Sequence, residues 1–133
     1  MADDKCVAAK CVVRKSFDDK LEKAVLQQMK DTIEGAINKT KGLVFDKNCK
    51  DGWLLEATVV LLDVDDPPTK MEIKVTIDGT SFGGSASSFK ANGGAKQSGV
   101  RPKKLEGDAK DLVDQVFGDL LKSKVIPQLL KGD

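Results

Sequence analysis

Residues 53–64 have the sequence WLLEATVVLLDV, which is apolar on both faces of an extended chain. This composition is typical of a central strand. The following DDPP, residues 65–68, must turn the chain because two prolines cannot continue a strand ladder. Polar and apolar residues then alternate strictly over residues 70–78, as in a strand with one exposed face. We therefore predict a β-hairpin at the centre of the fold.

The chain before this hairpin predicts a strand, a long helix and a short strand. Residues 7–14 alternate with a period close to two, and residues 43–45 form a short apolar run. Ser16 is a suitable N-cap for the helix, and Gly42 is a suitable residue to end it. Between these two caps, apolar residues recur every three or four positions and form one helix face: Phe17, Leu21, Ala24, Val25, Met29, Ile33, Ala36 and Ile37.

The C-terminal part predicts a second long amphipathic helix, beginning at about Asp108. Pro127 should end or kink it, because proline lacks the N–H group that a helix interior requires. Leu129 and Leu130 would then pack as a short tail. The apolar stripe of this helix consists of Ala109, Leu112, Val113, Val116, Phe117, Leu120, Leu121 and Val125.

Two amphipathic helices can cover one face of one sheet. The predicted fold class is therefore α+β: a two-layer sandwich with a mainly antiparallel sheet of four to five strands and two long amphipathic helices on one face. A chain of 133 residues has the size of one domain, so we expect a single domain over residues 1–133.

Composition excludes several classes of function. Lys plus Arg number 22 and Asp plus Glu 21, which argues against a globally basic nucleic-acid binder. The absence of His and Tyr removes Ser-His-Asp and Cys-His catalysis, histidine metal sites and a tyrosine acid. No apolar run approaches the roughly 18 residues of a membrane helix. We predict no catalytic residues, no cofactor and no metal.

A glycine- and serine-rich basic segment follows the hairpin. Residues 80–91 could form a strand of small residues, whereas residues 92–104 predict a flexible loop. Such a loop is either simply solvated or binds a protein partner or an anion, since mobile N–H groups and cations suit acidic ligands. Nucleic-acid recognition is disfavoured because aromatic residues are scarce there. The candidate binding residues are Lys90, Lys96, Arg101, Lys103 and Lys104.

Three cysteines bear on the cellular compartment. Cys6, Cys11 and Cys49 contain no C-x-x-C pair, so a zinc ribbon or a thioredoxin-type motif is unsupported. They are either small buried residues or partners in a disulfide that joins Cys49 to Cys6 or Cys11, which an oxidising compartment would permit. A catalytic thiol is disfavoured because no base can pair with it. The polar N-terminus is unlike a signal peptide, although an export signal removed upstream would fit.

Carboxylates near the hairpin offer two further candidates. Asp63, Asp65 and Asp66 resemble a calcium loop, but without its glycine and distal glutamate a solvated hairpin tip is favoured. Glu56 lies inside a strand, where a raised pKa would make it an acid; pairing with a cross-strand Lys70 or Lys74 is the favoured alternative.

Trp53 opens the long strand. We expect it to pack at the edge of the core, with ligand stacking as the alternative.

The sequence resembles one group of small bacterial envelope domains: the periplasmic domains of lipoproteins that activate penicillin-binding proteins, and the related curli-secretion lipoprotein. The matching features are VAAKCVVR at 7–14, the long helix ending in GLVF at 42–45, and WLLEATV at 53–59. The chain departs from this group in lacking a lipobox and in having Glu56-Ala57 where the group commonly has glycine. The resemblance implies action by protein–protein contact and supplies no site residues.

The leading prediction is therefore a non-enzymatic bacterial envelope protein that binds another protein, located in the periplasm or cell envelope. The alternative is a small anion- or nucleic-acid-binding domain that uses the basic segment and resides in the cytoplasm. An enzyme using carboxylates and lysine is a third hypothesis, and nothing in the sequence pairs such groups.

Overall fold

The computed structural model describes residues 5–14, 19–46, 52–64, 70–82, 88–100 and 102–131. The strands are β1 (Lys5–Val13), β2 (Leu43–Phe45), β3 (Gly52–Val64), β4 (Lys70–Phe82) and β5 (Ser88–Ser98), and helix α1 (Asp19–Lys39) connects β1 to β2. After β5 come a 3₁₀ turn (Pro102–Lys104), α2 (Leu105–Leu120), a π-helical turn (Leu121–Val125) and α3 (Ile126–Lys131).

The five strands form one mixed sheet in the order β2-β1-β3-β4-β5. β1 is parallel to both β2 and β3, whereas β3–β4 and β4–β5 are antiparallel and are the longest pairings. The predicted hairpin is confirmed, with Ala57 opposite Ile77 and a register shift between Val59 and Leu61. The α+β class, the five strands and the two long helices are likewise as predicted.

The core lies between the helices and one face of the sheet. From β3 it takes Trp53, Leu55, Ala57 and Val59, and β4 contributes its apolar set opposite them. β3 is the central strand of the sheet, as predicted, and Val60 on the face away from the helices is 36% exposed. The buried positions of α2 agree with the predicted stripe: Ala109, Leu112, Val113, Val116, Phe117 and Leu120.

The prediction of a flexible loop over residues 92–104 was wrong for its first half. Residues 88–98 form β5, which pairs with β4 from Ser88 opposite Thr80 to Ser98 opposite Lys70. Glycines are poor strand formers, but here they permit close approach. A Cβ atom at Gly94 would lie 2.9 Å from the carbonyl oxygen of Ile73, and one at Gly79 would overlap the ring of Phe89. The separate strand expected over residues 80–91 is therefore the end of β4 and the start of β5.

The C-terminal helix also differs from prediction at Pro127. Helix continues past this residue because the turn before it is π-helical: the N–H of Ile126 donates to the carbonyl of Leu121. The wider turn accommodates the proline, which cannot donate its own hydrogen bond. Leu129 is buried, whereas Leu130 is 47% exposed. The proposed N-cap Ser16 lies outside the described residues.

Candidate interaction surface

The face of the sheet turned away from the helices carries a mixed pattern of charge. We call it the open face. Register places Lys10 beside Glu56, Glu56 beside Asp78, and Asp78 beside Lys90, so one row across four strands reads plus, minus, minus, plus. Three of these four residues are exposed and Asp78 is half-buried. This row is therefore polar and nearly balanced in charge, whereas Leu54 and Val60 make other parts of the open face apolar.

The basic residues predicted as a binding loop do not form one cluster. Lys90 and Lys96 both project from β5 on the open face and are exposed, but six residues of strand separate them by about 20 Å. Lys103 and Lys104 are exposed in the 3₁₀ turn that follows β5. Lys96 is near the C-terminal end of β5 and Lys103 and Lys104 follow that end in the chain, whereas Lys90 is near the start of the strand. Arg101 lies outside the described residues.

Lys96 lies next to acidic side chains. Its Nζ is 3.9 Å from Glu72 Oε2, and its side chain is 79% exposed. An exposed pair of this kind contributes little to stability. A shallow depression of about 240 Å³ adjoins the pair, and both signs of charge line it: Asp63, Lys70, Met71, Glu72, Lys96, Gln97 and Ser98. This end of the sheet therefore combines lysine and carboxylate at the surface.

The cysteines divide into two kinds. Cys6 is disulfide-bonded, whereas Cys11 is a free thiol, half-buried on the helix-facing side of β1. Burial raises the pKa of Cys11 to about 11, with the nearby Lys30 opposing the shift. A thiol with that pKa is protonated at neutral pH and is a poor nucleophile. Because Cys11 is a free thiol, the disulfide predicted for Cys49 can join it only to Cys6. Cys49 lies outside the described residues, so this pairing remains a prediction.

The remaining candidates have structural explanations. Trp53 is 4% exposed, and its ring centroid lies 5.4 Å from that of Phe89, so it packs in the core. Glu56 is exposed and lies between Lys10 and Asp78, and the predicted pairing with Lys70 or Lys74 was wrong.

The acidic hairpin tip falls mostly beyond what the structure covers, since Asp65 and Asp66 are outside the described residues and only Asp63 is seen, exposed. Over the ranges described, no three His, Cys, Asp or Glu side chains form a group that could hold a metal ion.

Sequence reasoning missed a groove of about 520 Å³ that lies between α1 and the outer edge of β1. One wall of the groove is formed by polar residues of α1 that are three or four positions apart, a helical spacing visible in the sequence: Gln27, Lys30, Asp31 and Glu34. The sequence gives no sign that a groove faces this stripe, because the groove exists only where β2 ends early. Ala9, Phe45 and Asp46 complete the lining.

Many solved structures resemble this fold, among them the following three. A hypothetical protein from Chlamydia trachomatis matches with a TM-score of 0.68 at 11% identity, covering 96% of this chain and 99% of that protein. PelC from Paraburkholderia phytofirmans, a dodecamer, matches at 0.53 and 12% identity, covering 90% and 89%. A DUF330 protein from Xanthomonas campestris matches at 0.52 and 10% identity, covering 97% and 87%. All three are bacterial, and identities this low establish the fold alone.

No protein-family model and no curated protein sequence matches the chain. These similarities show the fold but do not show that the chain is related to penicillin-binding-protein activators or to the curli-secretion lipoprotein. That more specific resemblance remains a prediction. In the part of the chain that the structure describes, no helix is long and apolar enough to cross a membrane.

Proposed function

We propose that this chain is a non-enzymatic protein of the bacterial envelope that acts by binding another protein. The observation that carries the proposal is the open face, on which lysines stand beside carboxylates in a solvent-exposed row. Protein partners are matched by surfaces of mixed, complementary charge, which set specificity and association rate. The residues we assign to the contact are Lys96 near the C-terminal end of β5, Lys103 and Lys104 in the turn that follows the strand, and Arg101, which precedes that turn in the sequence.

The same observation weighs against the anion-binding alternative. A phosphate polymer is bound by a surface of one sign, whose affinity derives from released counterions. Lys90 faces Asp78 across the strands, and Lys96 lies against Glu72. These carboxylates would repel a polyanion but would contact basic groups on a protein.

The envelope location rests on two supports. Cys6 is disulfide-bonded, and disulfides persist mainly in oxidising compartments such as the bacterial periplasm. The three proteins of similar fold named above are bacterial. An intact mass measured after alkylation without reductant, on protein from its native source, tests this location: one alkylated thiol is expected, and three would refute it.

The binding proposal is tested by capture from the native envelope fraction. The test variant replaces Lys96, Arg101, Lys103 and Lys104 by Gln. The control removes lysines from the helix layer instead: Lys23, Lys39, Lys110 and Lys122, each replaced by Gln. We expect the test variant to lose the captured protein and the control to keep it. Because PelC is a dodecamer, a second copy of this chain is scored as a partner too.

Equal capture by both variants would refute the assigned contact region. Binding to polyphosphate or RNA that falls steeply between 50 and 200 mM salt, on the order of a hundredfold or more, would instead establish the anion-binding alternative.

A further inference from the structure

The outer edge of β1 offers backbone hydrogen-bonding groups to the groove beside α1. β2 pairs with β1 only over Lys5 to Val7, while β1 continues to Val13. Beyond Val7, no strand among the described residues adjoins β1 on that side. A strand edge left open in this way is a template for an added strand.

Three hydrogen bonds show which residues of β1 face this edge. The N–H of Lys5 donates to the carbonyl of Gly42, and the carbonyl of Val7 accepts from the N–H of Asp46. The backbone N–H and C=O groups of these odd-numbered residues therefore point towards β2. The N–H of Arg14 donates to the carbonyl of Val59 in β3, so the backbone N–H and C=O groups of the even-numbered residues point towards β3. In a parallel strand the N–H and C=O groups of one residue point to the same neighbour, and alternate residues point to opposite neighbours. Ala9 and Cys11 therefore direct their N–H and C=O groups outward.

The groove beside this edge is acidic. Asp31 and Glu34 line it from α1 and Asp46 from the end of β2, against one lysine, Lys30. Ala9 and Phe45 supply a small apolar floor. The end of β2 is anchored to the helix, since Asn38 Oδ1 accepts from the N–H of Phe45 at 3.1 Å. This hydrogen bond ties the end of β2, which forms one wall of the groove, to α1.

We propose that this groove binds an extended, basic peptide segment of a partner protein, which adds as a strand beside β1 in line with β2. The open backbone edge selects an extended chain, and main-chain hydrogen bonds provide the affinity in this mode of recognition. The carboxylates select lysine or arginine at alternate positions of the segment, where side chains point towards α1. This surface is separate from the basic end of β5, so it is a second contact of the protein.

A second copy of the chain fits this groove less well. If its β5 extended the sheet with all helices on one side, Lys90 and Lys96 would lie on the open face. They would then be near Lys10 and away from Asp31 and Glu34. Charge complementarity therefore favours a foreign segment whose basic side chains face the helix layer.

The test uses the full chain and a synthetic probe, an acetylated and amidated heptapeptide of alternating lysine and valine. The counter-probes are the glutamate–valine analogue and a lysine–valine peptide N-methylated at alternate amides, which keeps its charge but cannot pair as a strand. We expect saturable binding of the first peptide, measured by isothermal titration calorimetry, and at least about fivefold weaker binding of both analogues.

Two variants locate the binding. Ala9→Pro removes only an outward N–H and no hydrogen bond to β3, and we expect it to weaken binding about five- to tenfold. Ala9→Ser keeps that N–H and should leave affinity unchanged. Glu34→Lys should reverse the preference towards the glutamate peptide, whereas the same charge change at Glu22, outside the groove, should not.

The alkylation rate of Cys11 reports peptide binding in the protein without substitutions. It therefore tests the proposal even if Ala9→Pro fails to fold. The bound peptide should slow alkylation of Cys11 at pH 9 at least about threefold, followed by intact mass. Unchanged alkylation, or equal binding of the N-methylated peptide, would overturn the proposal. A concentration-dependent oligomer that excludes the peptide would assign the groove to a second copy and overturn it as well.

Discussion

Replacing Gly79 by Ala tests whether β5 pairs with β4 in the register described. Register places Gly79 opposite Phe89, and a Cβ atom at Gly79 would lie 2.9 Å from Cδ2 of Phe89 and overlap the rest of the ring edge. The ring cannot easily withdraw, because Trp53 packs against it with centroids 5.4 Å apart. Overpacking of this kind costs about 1–3 kcal/mol of unfolding free energy.

The assay is urea unfolding of four proteins: native, Gly79→Ala, Phe89→Ala and the double variant. Alanine in a strand is otherwise preferred to glycine by up to about 1 kcal/mol. With the ring removed, Gly79→Ala should therefore be neutral or stabilising, giving a coupling of at least about 1 kcal/mol between the two sites. Thermal unfolding should show the single variant melting roughly 3–15 °C below the native protein. Equal effects of Gly79→Ala in both backgrounds would refute the pairing of these residues.

Three other predictions follow from the same structure. Gly52 has φ +102° and faces the backbone of Cys6, so Gly52→Ala should lower the free energy of unfolding by about 2 kcal/mol or more; a neutral result in urea unfolding would contradict this. Gly118 lies within α2 with open space around it. Gly118→Ala should therefore raise the free energy of unfolding by about 0.5–1 kcal/mol, which a higher melting temperature would show. Since burial raises the pKa of Cys11 from 9.0 to about 11, the folded state favours the thiol. Its contribution to stability should be complete below pH 9 and lost as pH rises towards 11, and a Cys11→Ser variant should lack this part of the stability–pH profile.

The sequence analysis predicted correctly those elements in which the spacing of apolar residues reflects which side of the element is buried. Residues 70–78 alternate strictly because one side of β4 faces the core and the other faces water. The stripe of α2 likewise agrees with its buried residues, since one helix face meets the sheet. β3 was predicted as a central strand, but composition alone does not show which of its sides is covered, because Leu54 and Val60 on the open face are as apolar as the core residues between them.

Residues 92–98 of β5 were missed because none of them is a residue type that favours strands. Gly93 and Gly94 lower intrinsic strand propensity, yet a neighbour as close as the Ile73 carbonyl leaves no room for a Cβ atom at Gly94. That requirement depends on tertiary packing and leaves no periodic signal. The same holds for Pro127, where a π-helical turn extends the helix that the sequence would end.

The binding surfaces were predictable only in part. The lysines were found from composition, but their separation along β5 follows from its extended conformation, and the opposing Glu72 and Asp78 follow from register. The groove beside β1 depends on how early β2 ends relative to β1. Sequence patterns gave both strands without specifying that they are parallel and adjacent.

The most direct test of the proposed function is site-specific photo-crosslinking in the cells that natively produce the chain. A photoreactive residue is placed at Lys96 in one variant and at Lys23, on the exposed side of α1, in another. Protein binding through the end of β5 predicts a crosslinked protein adduct from position 96 and none from position 23. Adducts only to nucleic acid, or equal protein adducts from both positions, would contradict the proposed function.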